Sequence, residues 1–278
     1  MFGLFLIAAS SFFQEISSSL GKAEVEKKKE SIYTMAFLSL FWGAVWFLGL
    51  IIFKGGFIFS LASLPLFIIR SILEIIQAHI SVLAITQAER STYSFVRIST
   101  MVMLLIVDIF LGYSISSFQI AGIVFIGFVL LIIFMNHGIN KKGLYYVIYM
   151  AIGAVATVSL FKYNITHFNS IEAEQFLIHV ILMIYFFIMA MQLKKENPMM
   201  FLLKPLFFGQ SFSSGLGSVL GSFAYGFAPA SIIMAGERST SVLFSLISGK
   251  VYFREKHIIF KLFIFMLIAI GIFLLSLS

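Results

Sequence analysis

The chain has 278 residues, of which 60% are hydrophobic and 11% charged, with a formal net charge of +7 at pH 7. Soluble globular domains average about 45–50% apolar and about 25% charged residues, so this composition excludes that class and predicts an integral membrane protein. The 19 basic residues are scattered between apolar runs, which excludes the basic stripe of a nucleic-acid-binding protein. The chain contains no cysteine, which excludes disulfides and cysteine metal sites.

Ten apolar segments follow one another with short connections, and each approaches the 20 or so residues that a membrane-spanning helix needs. The first segment has a signal-peptide-like core, but no basic residue precedes it and it contains Glu15, so we interpret it as a retained helix. The predicted helices are 2–21, 31–53, 62–87, 91–111, 116–136, 143–162, 172–192, 203–225, 229–250 and 257–277.

A shift of the sequence by about 140 residues superposes several unlike features in one register, which predicts an internal duplication. The halves are 1–138 and 141–278. Because five is an odd number of crossings, the second half enters from the opposite face. The predicted fold class is an all-α integral membrane protein with ten transmembrane helices as two inverted five-helix repeats, a common transporter architecture. The matches are Gly3-Leu4 with Gly143-Leu144, Lys22 with Lys162, Pro65-Leu66-Phe67 with Pro205-Leu206-Phe207, and Ser99-Thr100 with Ser239-Thr240.

Basic residues are concentrated on one side of the predicted bundle. Loops that follow odd-numbered helices hold most of them, whereas the opposite side holds only Lys54 and Lys162. Cytoplasmic loops are enriched in Lys and Arg, so this count predicts that both termini lie outside the cytoplasmic (inner or plasma) membrane.

Charged residues inside predicted spans need a reason, because each costs roughly 2.5–3.5 kcal/mol at the centre of a membrane helix. We interpret these residues as candidate substrate or coupling residues, together with two tryptophans that share a face of the second helix. The set is Glu15, Trp42, Trp46, Arg70, Glu74, Arg97, Glu237 and Arg238.

Each candidate has a structural interpretation beside the functional one. Arg70 and Glu74 stand at i and i+4, so they form either a self-neutralised pair or a gate. The two later arginines, Arg97 and Arg238, either attract an anionic group or fix helix packing. Glu237 points about 100° away from its neighbour on an α-helix and is predicted not to pair with it.

Other polar features are predicted to be structural. Asp108, Glu172 and Glu174 are interpreted as helix-end residues, the first solvated and the other two favoured by the helix dipole. Small residues in the eighth helix, including the Gly217–Gly221 step, predict close packing, with a cavity wall as the alternative. The tryptophans either stack on a flat or cationic substrate or pack against lipid and protein.

The closing pattern of each half is a helix pair joined by a tight polar turn, Leu111-Gly112-Tyr113 in the first half and Phe253-Arg254-Glu255-Lys256 in the second. With ten helices and halves of about 140 residues, the chain resembles the drug/metabolite transporter superfamily, specifically its ten-helix members made of two EamA-type halves. The resemblance implies secondary transport, and cytoplasmic termini, which is opposite to the charge count.

The first helix carries a more local resemblance. The run from Glu15 through Ser17-Ser18-Ser19 and Leu20 to Lys22 is similar to the first helix of the small multidrug resistance transporters. In those proteins a glutamate carries the site shared by proton and cationic substrate. The resemblance implies a coupling role for Glu15.

These patterns predict a secondary active transporter of a small polar organic metabolite or drug-like compound. It would work by alternating access, with proton coupling or exchange, and a monomer in the lipid bilayer would be sufficient. The sequence shows no phosphate-binding glycine loop, nucleophile–base arrangement or metal-ligand spacing, so no enzyme activity, cofactor or metal is predicted. The alternative is a membrane-embedded enzyme that acts on a lipid-like substrate.

Overall fold

The computed structural model describes residues 1–87, 90–135, 144–253 and 258–277. Across these ranges the chain forms ten α-helices, and all of its regular elements there are helical. Short 3₁₀ turns at Leu61–Ser63 and Pro198–Met200 precede α3 and α8, and a π-helical turn, Ala190–Lys194, ends α7. The helices are α1 (Phe2–Glu26), α2 (Ile32–Lys54), α3 (Leu64–Gln87), α4 (Arg90–Phe110), α5 (Ser117–Met135), α6 (Leu144–His167), α7 (Ile171–Met189), α8 (Pro205–Ala224), α9 (Ala230–Phe253) and α10 (Ile258–Ser276).

Among the described residues, four helical segments are long and apolar enough to cross a membrane: Ile32–Lys54, Leu61–Ser81, Tyr145–His167 and Ile171–Lys194. Large apolar side chains also cover the outside of the bundle, for example Ile68, Ile69 and Ile72 on one side of α3. An apolar exterior of this extent matches a lipid environment and not water. The chain therefore has the make-up of an all-α membrane protein, as the composition predicts.

Helix ends follow local capping chemistry. Ser31 and Ser170 precede α2 and α7, and each side-chain oxygen accepts a hydrogen bond from the backbone N–H three residues later. Gly55 ends α2 in the left-handed conformation, with φ of 70°.

Helices α1 and α6 each run five residues past their predicted ends. The predicted end of the sixth helix at Lys162 is wrong, because α6 continues to His167 and the Lys162 ammonium is buried against backbone carbonyls. The first helix likewise continues beyond the apolar run, to Glu26.

Most of the helix packing links the first five helices to the last five. Helix α1 packs against α8 and α9, α2 against α7 and α8, α3 against α6, α4 against α6 and α9, and α5 against α10. The largest hydrophobic cluster of the described residues joins α1, α4, α5, α6, α9 and α10, and it includes Ile7, Met101, Ile123, Ile233 and Ile268. A smaller cluster around Phe37 and Phe207 joins α2, α7 and α8.

Glycines let α8 lie directly against its neighbours. A Cβ atom at Gly215 would lie 2.6 Å from the backbone carbon of Trp42 and 2.7 Å from the Gly43 nitrogen. These are backbone atoms, so they cannot move aside as the end of a flexible side chain can. Gly215 therefore sets the distance between α8 and α2.

We expect Gly215→Ala to destabilise the protein by about 1–3 kcal/mol, because the added methyl group overpacks the contact between α8 and α2. The measurement is the thermal midpoint of the detergent-solubilised protein. Gly209→Ala on the same helix is the matched control, since its Cβ would meet nothing within 4 Å. Equal Tm changes in the two variants would contradict the close approach.

Candidate functional site

A cavity of about 210 Å³ lies between α1, α8 and α9. Hydroxyl, amide and carboxylate groups form much of its wall, which is unusual in a helix bundle that is otherwise so apolar. The lining residues are Ile7, Ser10, Ser11, Gln14, Gly217, Ser218, Gly221, Ser222, Tyr225, Glu237 and Ser241.

The small residues of α8 both pack against α1 and open the cavity. Cβ atoms at Gly217 and Gly221 would lie 2.9 Å from Gln14 Cγ and 2.8 Å from Ser10 Oγ. Ser10 Oγ donates to the Gly217 carbonyl at 2.7 Å, and Gln14 Nε2 donates to the Ser214 carbonyl at 3.3 Å. Both interpretations of the glycine step, close packing and a cavity wall, therefore hold.

The charge at the cavity comes from α9. Glu237 lines it with a side chain that is 27% exposed, and Arg238 Nη1 donates to Glu237 Oε1 at 2.9 Å. The prediction that these neighbours do not pair is wrong. Their Cβ atoms do point in different directions, but the arginine chain is long enough to bend back to the adjacent carboxylate.

Residues of α1 in this wall were not among the sequence candidates. Ser10, Ser11 and Gln14 recur at helical spacing, which forms a polar stripe in the apolar first half of α1. Thr240 Oγ1 donates to Ser11 Oγ at 2.8 Å and so ties this stripe to α9. The spacing of polar residues in the first helix was the signal that could have found them.

Glu237 is the one predicted site residue among the described lining residues. Glu15 is partly exposed and accepts a hydrogen bond from Ser19 Oγ at 3.2 Å, and it is not one of the lining residues. Arg97 lies in α4, but its side chain falls outside the described residues.

A second polar cluster joins α3, α6 and α7. Arg70 is 2% exposed and donates to Glu174 Oε1 on α7 at 2.8 Å, as well as to Glu74 Oε1 on its own helix at 3.4 Å. The predicted i, i+4 pair is confirmed, but the shorter bond goes to α7. Glu174 also accepts hydrogen bonds from Asn164 at 2.9 Å and Asn169 at 2.5 Å.

The interpretation of the acids in α7 as dipole-favoured helix-end residues is incomplete. Glu174 is fully buried as the centre of this network, and Glu172 accepts from Lys54 Nζ at 3.1 Å. Arg70 also lies 4.6 Å from the centre of the Phe161 ring. A buried charge with this many partners holds helices in one arrangement. The structural interpretation of Arg70 is the one that its surroundings favour.

His79 lies on α3 five residues after Glu74 and contacts α7. His79 Nδ1 forms a hydrogen bond of 2.6 Å with the Tyr185 hydroxyl of α7. A histidine held in this way is a packing residue between α3 and α7.

The interpretation of Asp108 as a solvated helix-end residue is wrong, because its side chain is buried. Its carboxylate accepts from the Ser231 N–H at 2.7 Å and so caps the first turn of α9 from α4. Nearby, Lys162 donates to the Tyr225 and Ala228 carbonyls, just before α9 begins. The two side chains fix the chain between α8 and α9.

The tryptophans pack against α8, as their structural interpretation predicts. The Trp42 ring meets Phe208 and Phe212 edge-on, with centroids 5.4 and 5.5 Å apart, and Trp46 meets Phe212 at 5.7 Å. Neither tryptophan lines the cavity.

No family model matches the chain, and a search of the curated proteins finds no match. Two features of the structure bear on function: a cavity with one carboxylate between α1, α8 and α9, and a buried ion network that joins α3, α6 and α7.

We expect Arg70→Gln to cost about 3–5 kcal/mol in stability, because it leaves the Glu174 carboxylate buried without its cation. Thermal unfolding of the detergent-solubilised protein measures the loss. The matched control is Lys54→Gln, which breaks an ion pair whose lysine is 48% exposed, and which should cost no more than about 1 kcal/mol. If both variants unfold at the wild-type temperature, the network is not a structural element.

Proposed function

We propose that the protein is a secondary active transporter of a small polar organic metabolite or drug-like compound, working by alternating access in the cytoplasmic membrane. The observation that carries the proposal is the polar cavity between α1, α8 and α9, which holds the carboxylate of Glu237 inside an apolar bundle. Polar groups at membrane depth are costly and typically mark a path for substrates or ions.

The helix packing supports an inverted repeat of 1–138 and 141–278. If each helix number of the first half is exchanged with the number five higher, the contact of α1 with α8 becomes that of α6 with α3, which is also present. The contact of α1 with α9 becomes that of α6 with α4, and α4 with α5 becomes α9 with α10. The pairs α2 with α7, α4 with α9 and α5 with α10 map onto themselves.

This exchange symmetry gives the proposal a mechanism. In an inverted repeat, each half can adopt the conformation of the other, so a site between the halves opens alternately to the two sides of the membrane. The cavity meets that condition, since α1 belongs to the first half and α8 and α9 to the second. The layout supports membership of the drug/metabolite transporter superfamily as part of this proposal.

The lining chemistry favours a solute that forms many hydrogen bonds. Serine hydroxyls and the Gln14 amide offer both donors and acceptors, while Glu237, which is paired with Arg238, offers a carboxylate. A cavity of about 210 Å³ suits a small organic molecule and not a lipid with its chains.

The test is transport by the purified protein in liposomes, screened with radiolabelled polar metabolites and lipophilic cations. Saturable uptake that is accelerated by substrate inside the liposome is the signature of a carrier. Chemical conversion of a lipid without movement of any solute would instead support a membrane-embedded enzyme.

For a transported substrate, we expect Glu237→Gln to lower the transport efficiency, kcat/KM, about 10- to 100-fold. The variant loses a hydrogen bond to a charged group, worth about 1.5–3 kcal/mol, with little change in volume. Glu172→Gln is the control, because this acid pairs with Lys54 outside the cavity. Wild-type kinetics in Glu237→Gln would remove the cavity from the mechanism.

Coupling through Glu15 has a separate test in the same liposomes. If Glu15 exchanges protons with the substrate, Glu15→Gln abolishes the response of transport to an imposed pH gradient but leaves exchange of substrate for substrate intact. A variant that still responds to the gradient would exclude this role and leave coupling to another residue.

A further inference from the structure

The turn between α1 and α2 directs an acidic side chain into the protein. Lys28 adopts the left-handed conformation, with φ of 56°, and the N–H groups of Lys28 and Lys29 donate to the carbonyls of Val25 and Glu24, each at 2.9 Å. This C-terminal cap reverses the chain at Lys28 and Lys29, and only Glu30 and Ser31 separate the cap from the start of α2. As a result Glu30 is only 3% exposed, although it lies in a connection between helices.

Glu30 and Gln210 form a buried polar pair whose hydrogen-bonding groups are unsatisfied. Both carboxylate oxygens of Glu30 lack a hydrogen-bond partner, and so do both polar atoms of the Gln210 amide, which is fully buried on α8. The amide nevertheless faces the carboxyl group closely enough to interact with it. Unsatisfied groups at this depth cost free energy unless a ligand completes them.

The charged groups that act on Glu30 among the described side chains are both negative, Glu24 and Glu196. Glu24 is already paired with Lys27 at 3.0 Å and Lys29 at 3.2 Å. Two further residues, Lys22 and Glu26, lie on the last turns of α1, with side chains outside the described residues.

Glu196 is occupied in the same way. Its carboxylate accepts from the Ser31 N–H at 3.0 Å and from Thr34 Oγ1 at 2.6 Å, and Lys194 acts on it electrostatically. Among the described side chains, Lys27 and Lys29 thus pair with Glu24, and Lys194 acts on Glu196.

We propose that Glu30 is a proton-binding site that holds the α1–α2 turn against α8. With a proton, the carboxyl group is neutral, so it can donate to Gln210 Oε1 and accept from Gln210 Nε2, which satisfies all four orphaned atoms at once. When the proton leaves to water, a buried carboxylate faces two others, and the turn moves away from α8 to hydrate it.

A proton fits this site better than a metal ion. Among the described residues no three His, Asp or Glu side chains lie close enough together to hold a metal. Burial, opposed in part by the Gln210 amide and reinforced by Glu24 and Glu196, raises the pKa of Glu30 to about 8. The site therefore titrates in the range that a cytoplasm or a periplasm covers.

The contact between Glu30 and Gln210 is also connected to the cavity through α1 and α8. Gln210 lies on α8, two turns before Gly217, and α1 leads from the cavity wall to the turn that carries Glu30. Movement of the α1–α2 turn away from Gln210 would therefore displace α1 and α8, two of the three helices that line the cavity. The proton site itself does not depend on the transport proposal, and its test needs no substrate.

The experiment is the thermal midpoint of the full-length protein in detergent between pH 5 and pH 9. The pKa of Glu30 is about 8 in the folded protein and near 4.5 when exposed, so the folded state binds the extra proton in this window. Stability therefore falls as pH rises toward 8 and levels off above it. We expect the wild-type Tm to fall by roughly 5 °C or more across the window.

Glu30→Gln mimics the protonated side chain. Its Tm should therefore stay level between pH 5 and pH 9 and should exceed the wild-type Tm at pH 9. A fall of wild-type size in Glu30→Gln, or a flat wild-type profile, overturns the proposal.

The matched control is Glu196→Gln. Burial raises the pKa of Glu196, but hydrogen bonds from Thr34 and Ser31 outweigh this effect and hold the pKa below its usual value. Glu196 therefore does not titrate in the window. The Tm of this variant should still fall as the pH rises, but the midpoint of the fall should lie at lower pH, because one negative neighbour of Glu30 is gone.

A second measurement uses the wild-type protein and does not depend on how well the variants fold. Infrared spectroscopy should detect the C=O stretch of a protonated carboxyl group that persists up to about pH 8. Its absence at pH 6 would overturn the proposal.

Discussion

In an apolar solvent a polar group can find a partner only inside the protein, and this constraint organises the described bundle. Isolated serines meet it locally: Ser71 and Ser239 donate to the carbonyls four residues earlier in their own helices. Charged groups need partners on other helices, so Arg70 reaches α7 and Asp108 reaches the first turn of α9. Each such bond decides which helices are neighbours, because the alternative is an unpaired charge at a cost of several kcal/mol.

The two polar clusters differ in the space beside them. Around Glu174, two asparagines and an arginine occupy both carboxylate oxygens inside the packed bundle. Around Glu237, hydroxyl, amide and apolar groups line an open cavity. A buried network with bonds to several helices favours one geometry and holds α3, α6 and α7 together, whereas the cavity has room for a ligand.

The sequence predicted the helices well, because hydropathy alone distinguishes an apolar run from a short polar connection. It also predicted the contact of Arg70 with Glu74, since four residues on a helix define a distance. It could not predict Glu174 as the stronger partner, because nothing in a single sequence links positions 104 apart. The error at Glu237 and Arg238 has another origin. A helical wheel considers only the direction of each Cβ atom, whereas an arginine has enough rotatable bonds to reach the residue beside it.

The glycines of α8 also determine which groups of this helix its neighbours can reach. Helices usually interlock, with ridges of side chains seated in grooves, so that sliding requires many rotamers to change together. At Gly215, Gly217 and Gly221 the ridge is missing, and the neighbouring helices rest on bare backbone. Because no side chain covers the backbone at these positions, its carbonyl groups become accessible to the neighbouring helix. Ser10 and Gln14 of α1 use this access, since they donate to the carbonyls of Gly217 and Ser214.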